Sequence, residues 1–250
     1  MNDLVEYLLK SSNKIKISTK DINKGDIFLA LPGKTNHGQL FIDEALERGA
    51  KFVITDKSYA QTKLQKNIII FEDPIFSLLN IAKQKRDLFK GKIIGITGSV
   101  GKTSVKENLY YFLSKSYNVS ASIKSYNNFL GVLITLLNLD LLSDFSIFEM
   151  GTNDFLEIKT LTKIVKPDQT IITNIHSAHL AKLINTKNIA KEKSDIFNKE
   201  FNPFVNLVVI PNNNIDEEFI LKRAINQKIS SIITFGSKPN SDLMLSDIEN

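Results

Sequence analysis

The chain has no cysteine and no tryptophan, only six prolines and three histidines. No apolar run approaches the ~18 residues of a membrane helix. Without cysteine there is no disulfide framework and no thiolate chemistry. The first twenty residues carry Asp3, Glu6, Lys10, Lys14 and Lys16 with no apolar core between them, which reads against a signal peptide and predicts a soluble, cytoplasmic protein. A block of one charge sign is also missing. The net charge of +5 comes from lysines spread along the chain and mixed with Asp and Glu, so neither nucleic acid nor a membrane is an expected partner.

What remains is ordinary globular material. At 250 residues, 42% hydrophobic and 24% charged, the chain can bury one large core or two modest ones. Two segments emerge. In residues 1–89, Ile27–Ala30, Phe52–Ile54 and Ile68–Phe71 read as strands. Leu40–Arg48 reads as a helix ended by Gly49, and Asp73-Pro74 opens a helix through Leu88 with Asp73 as its cap. Lys90-Gly91-Lys92 reads as the linker. In residues 90–250 strands alternate with helices. Strands are expected at 92–96, near Val119, and at 145–149, 170–173, 207–210 and 231–235. Helices are expected from the loop after 96 to about Lys115, then at 132–139, 154–165, 188–199 and 216–226. The predicted class is therefore α/β: a small N-terminal α/β domain, then a mostly parallel sheet with helices on both faces. Ligands of such sheets bind beyond the carboxyl ends of the strands.

The strongest motif is Gly98-Ser99-Val100-Gly101-Lys102-Thr103-Ser104, directly after the apolar run 92–96. Glycines let main-chain N–H groups turn onto phosphate oxygens, the lysine adds a point charge, and the threonine hydroxyl can ligate Mg²⁺. The usual spacing wants a further glycine where Ile96 stands, so the loop is a variant. Other candidates follow strand ends. Glu149 either holds Mg²⁺ or is a plain strand-end carboxylate. Asn174, His176 and His179 follow the strand 170–173. Asn127 and Asn128 precede a helix, where capping is the simpler reading and contact with an anion the other. Lys193, taken alone, reads as a surface lysine of its helix.

Together these segments resemble the Mur ligase family, ATP-dependent amide-forming enzymes of peptidoglycan synthesis. The resemblance rests on Thr97–Thr103, Asn127-Asn128-Phe129-Leu130-Gly131-Val132, Glu149-Met150-Gly151-Thr152-Asn153, Thr173–Leu180 and Ala190–Phe197. Order and spacing are most similar to the type that joins D-alanyl-D-alanine to UDP-N-acetylmuramoyl-tripeptide. The resemblance implies that residues 98–104 hold ATP, with Lys102 on its phosphates. Thr103 and Glu149 would hold a first Mg²⁺, and His179 with a carbamylated Lys193 a second. Asn128 would lie near the γ-phosphate and the acceptor carboxylate. Residues 1–89 would form the uridine-nucleotide domain, carried by Lys24–Leu31 and Gly33…His37-Gly38…Phe41. Ser18-Thr19-Lys20 departs from that domain's usual Asp-Ser-Arg, which weakens any bidentate contact. Residues 90–250 would be the ATP-binding domain, incomplete at its C-terminal end, with Pro211–Asn214 in place of an acidic segment. The family's amine-binding third domain is not within these residues. The expectation is a fragment, or a protein completed by a separate chain, so that the 250 residues alone complete no ligation. The alternative is a non-catalytic ATP-binding relative that has lost the activity.

Overall fold

The computed structural model describes residues 2–11, 13–33, 36–59, 66–123, 125–176, 183–213 and 215–244. Contacts divide the chain into two units. One is Met1–Leu88 together with Leu136–Asp140, and the other is Phe89–Thr135 with Leu141–Asn250.

The first unit holds a four-stranded sheet in the order β1-β2-β3-β4, from Ile15–Lys16, Ile27–Ala30, Phe52–Asp56 and Ile68–Phe71. All its pairings are parallel. Helices α1 (Asn2–Lys10), α2 (Ile42–Glu47) and α3 (Pro74–Leu88) accompany it. Asp73 caps α3 as the sequence suggests, its Oδ1 accepting from Phe76 N–H at 2.9 Å. The sequence reading passed over α1 and β1. In α1, Leu4 and Leu8 are buried one turn apart, a stripe too short to stand out. Strand β1 has two residues, and its free edge is completed by a side chain. Ile15 N–H donates to Asn138 Oδ1 at 2.7 Å, and Asn138 Nδ2 donates to Ile15 O at 3.0 Å. That amide lies 123 residues away in sequence and is why Leu136–Asp140 belongs with this unit.

A second tie is costlier. Lys85 is 3% exposed, and its ammonium donates to Leu8 O at 3.0 Å and Leu137 O at 2.7 Å. Both acceptors are carbonyls near helix ends, which lack intrahelical partners.

The second unit holds a seven-stranded sheet in the order β11-β10-β9-β8-β5-β7-β6. Its strands are β5 Lys92–Thr97, β6 Val119–Ala121, β7 Phe145–Glu149, β8 Gln169–Ile172, β9 Leu207–Pro211, β10 Ser231–Gly236 and β11 Leu243–Met244. Every described pairing is parallel. Helices α4 (Lys102–Leu113), α5 (Phe129–Leu137), α6 (Glu157–Val165), α7 (Thr186–Lys193) and α8 (Ile215–Asn226) flank it. Strand order reverses at β5, the place where open α/β sheets bind ligands.

Two helix boundaries differ from the sequence reading for physical reasons. The helix expected from Asp154 starts at Glu157, because Leu156 has φ 67°. The helix expected to run to Lys199 leaves α geometry after Lys193 and tightens into a 3-10 turn over Ser194–Phe197. There the Arg223 guanidinium takes the Lys191 carbonyl at 2.8 Å.

Burial, with a smaller push from Lys14, lowers the Lys85 pKa from 10.5 to about 8. Between those values the unfolded chain binds more protons than the native one, so stability rises with pH across the window. Relative to Lys85→Met, the unmodified protein is expected to gain as much as about 3 kcal/mol from pH 8 to 10.5. Urea unfolding of both proteins along that range measures it. A difference that stays flat with pH would mean the ammonium is not held in a desolvated site.

Candidate active site

The glycine loop joins the central strand β5 to α4. Gly98 has φ +152°, and a Cβ built there would come within 1.8 Å of Thr173 Oγ1. Gly101 caps α4 with φ +80°, and a Cβ there would meet nothing within 4 Å. The first demand is steric and the second conformational. The N-terminus of α4 therefore faces clear space. Among the described residues no acceptor pairs with the main-chain N–H groups of Lys102 and Thr103, the donors that a helix start leaves over. This geometry fits a phosphate.

The loop is braced from the segment after β8. Thr173 Oγ1 donates to Val100 O at 2.6 Å, and Asn174 Nδ2 donates to the same carbonyl at 3.2 Å. Val100 N–H donates to Asn174 Oδ1 at 3.0 Å, and Ser99 N–H to Asn174 O at 3.2 Å. Ser99 Oγ and the His176 main chain exchange two bonds of 3.0 Å. The N–H groups of Ser99 and Val100 are thus engaged within the protein, leaving the start of α4 as the anion-facing part. Lys102 folds back, donating to Gly98 O at 2.8 Å and Ser99 O at 3.3 Å. Burial lowers its pKa, against a raising effect of Glu149. The Ser104 side chain is exposed in the first turn of α4.

Glu149 ends β7 in register with Ile96 of β5, which brings its carboxylate beside the loop. It is 1% exposed. Thr103 Oγ1 donates to its Oε2 at 2.8 Å, and Asn127 Nδ2 to its Oε1 at 2.8 Å. Its N–H donates to Ser122 Oγ at 3.3 Å. The solvated strand-end reading is thus excluded. Among the described residues no group of three His, Cys, Asp or Glu is clustered for a metal. A hydroxyl with one carboxylate suits Mg²⁺, which keeps several waters and takes phosphate oxygens as its remaining ligands. Asn128 acts as the helix cap, its Oδ1 accepting from Gly131 N–H at 2.9 Å at the start of α5.

Lys193 is not a surface lysine. It is 2% exposed at the end of α7. Desolvation, with the Lys102 ammonium acting the same way, lowers its pKa to about 7 against a weaker raising effect of Glu192. Glu192 is buried too, and accepts from Leu156 N–H at 2.9 Å and Ile158 N–H at 2.8 Å, closing the start of α6. Burial raises its pKa, opposed by those two main-chain bonds. A cavity of about 190 Å³ lies alongside, lined among others by Asn127, Asn128, Gly151, Phe155 and Leu156. His179 lies outside the described residues. In the first unit, His37 Nδ1 accepts from Gln39 N–H at 3.1 Å, which leaves Nε2 protonated toward Asp56 Oδ2 at 3.0 Å.

A family model described as Mur ligase middle domain matches residues 96–250, and one described as Mur ligase family, catalytic domain, matches residues 12–96. The chain belongs to the Mur ligase family. Among curated relatives, the UDP-N-acetylmuramoyl-tripeptide–D-alanyl-D-alanine ligase of Rickettsia prowazekii is 37% identical over 235 residues, 93% of this chain and 51% of that protein. Among solved structures, MurF from Acinetobacter baumannii superposes with a TM-score of 0.75 at 26% identity, covering 94% of this chain and 50% of that one. MurF ligase from Thermotoga maritima, solved in complex with ADP, gives 0.74 at 27% identity, covering 99% and 54%. The chain spans about half the length of the relatives it matches.

Three residues to which the sequence assigned no role shape this site: Ser122, Thr173 and Glu192. Thr173 and Glu192 fall within two of the quoted motifs without a role of their own, and Ser122 has only its position just past a strand end as a signal. Thr173 offers the clearest check. Gly98→Ala would drive a methyl group into its hydroxyl at a φ that side chains avoid, and is expected to cost at least about 2 kcal/mol. Adding Thr173→Ala should return part of that loss by removing the clashing oxygen. Chemical denaturation of the single and double variants reads the coupling, and strict additivity would exclude the contact.

Proposed function

We propose that these residues bind ATP and activate the acceptor in a UDP-N-acetylmuramoyl-tripeptide–D-alanyl-D-alanine ligase. Residues 1–89 take the uridine nucleotide and residues 90–250 take ATP. The observation that carries this reading is the buried Glu149 carboxylate, gripped by Thr103 and Asn127 beside a glycine loop that opens onto the start of α4. The names of the relatives and the ADP held by the Thermotoga maritima enzyme support it.

In the proposed reaction the tripeptide carboxylate oxygen attacks the γ-phosphorus of ATP, and the bond to the bridging oxygen breaks, giving an acyl phosphate and ADP. The amine of D-alanyl-D-alanine then attacks the acyl carbon, loses a proton, and phosphate leaves. The first step needs charge neutralisation and in-line placement. Lys102 and the N–H groups opening α4 supply fixed positive charge. Mg²⁺, when bound, adds charge against the transferring phosphoryl group. Thr103 and Glu149 would hold one ion, and Lys193 with His179 a second. Asn127 fixes the orientation of Glu149. The neighbouring cavity, walled by Asn128 and Phe155, is where the acceptor's reacting end would arrive.

Lys102→Ala is expected to weaken ATP binding by about 1.5–3 kcal/mol, the range of a charge-assisted bond. Isothermal calorimetry with and without Mg²⁺ measures it. Equal affinity in the two proteins would refute the assignment of the loop.

Lys193 fits a carbamate. Its amine, at a pKa near 7, has a large neutral fraction at neutral pH, and a neutral amine adds to CO₂ with loss of one proton. The product replaces an ammonium beside Lys102 with an anion that can serve Mg²⁺. With ¹³C-labelled CO₂, a carbamate resonance is expected from the unmodified protein and none from Lys193→Arg. The same signal from both would locate the carbamate elsewhere.

A further inference from the structure

Among the described residues, Lys106 is the one fully buried cation near the loop that the proposed chemistry leaves idle. It is 0% exposed, so it reaches no substrate. A buried ammonium is expensive, and an apolar side chain of similar length would fill the same space at lower cost. Its presence there calls for a task, and its contacts describe one. The ammonium donates to Ser122 O at 2.9 Å and lies 3.0 Å from Glu107 Oε1, a carboxylate largely in water. Ser122 in turn receives the main-chain N–H of Glu149 on its hydroxyl, and its own N–H is fixed to Ile147 O at 2.9 Å. Thr103, which holds the Glu149 carboxylate, sits one turn before Lys106 on α4. The four residues form a closed circuit from helix to strand end and back.

We infer that Lys106 is a positioning residue for Glu149, acting through Ser122. The inference rests on the reading of Glu149 as a magnesium ligand. The ammonium pins the segment just after β6 to α4. The Ser122 hydroxyl then meets the Glu149 N–H while Thr103 of the same helix meets its carboxylate. Without the pin, the carboxylate and the Thr103 hydroxyl lose their common reference, and the metal loses two oxygens at a set separation. Groups that orient a metal ligand commonly change metal affinity by 10–100-fold.

The test is calorimetric titration of ADP at graded Mg²⁺ concentrations. Lys106→Met is expected to raise the Mg²⁺ needed for half-maximal enhancement of ADP binding by about tenfold, with ADP affinity in the absence of Mg²⁺ unchanged. Ser122→Ala, which leaves the ammonium in place, should shift the same midpoint in the same direction. A purely structural lysine would lower the melting temperature and leave the midpoint where it was. That result, from folded Lys106→Met, overturns the inference. If Lys106→Met does not fold, an unmoved midpoint in Ser122→Ala overturns it. An unmodified protein whose ADP binding ignores Mg²⁺ would instead overturn the reading of Glu149, and this inference with it.

Discussion

The register between β5 and β7 is the constraint on which the carboxyl edge of the large sheet depends. Ile96 pairs with Glu149, and a slip of one residue would turn the carboxylate to the opposite face. Burial on both faces leaves little pattern to fix such a register, because Ile93, Ile94, Ile96, Ile147 and Phe148 are all buried. Bonds flanking the paired stretch fix it instead. Lys92 N–H donates to Asp144 O, and Met150 N–H to Ile96 O, each at 2.8 Å. With the strands locked at both ends, Thr103 and Asn127 find the carboxylate in reach from two further elements.

The second unit also concentrates charge where the solvent is thin. Glu149, Glu192, Lys106 and Lys193 are all buried, and each isolated charge there is costly. The anions are compensated by donors whose positions the fold already fixes: the Thr103 hydroxyl, the Asn127 amide and the main-chain N–H groups of Leu156 and Ile158. Lys193 is treated differently, since burial and the Lys102 ammonium both oppose its charged form, against a weaker raising effect of Glu192. The fold thereby pushes the pKa of that nitrogen down to about 7.

Legibility followed locality. The glycine loop, the strand ahead of it and the helix behind it form one short stretch whose residue types each have a local job, so the motif located them. The alternation of apolar runs with helical spacing likewise gave the parallel sheet. Lys193 was opaque because its burial is made by elements distant in sequence. Glu192 beside it engages residues 34 and 36 positions away, and Arg223 holds Ser194 and Asp195 in the turn after it from 29 and 28 positions on. Strand β1 was opaque for the same reason, its edge being completed by Asn138. Strand β11, two exposed residues long, left no pattern to read. Asn128 carried two meanings in sequence, and the structure gives it the cap.

Thr173 and Asn174 hold the glycine loop without belonging to it. Its shape is thus written in two places separated by more than seventy residues. Chains of this kind can drift at the second place while the glycines, Lys102 and Thr103 stay intact. Such a chain would keep its signature and lose the cradle. Whether a relative still grips a triphosphate is therefore better judged from the two residues after the neighbouring strand than from the glycine pattern itself.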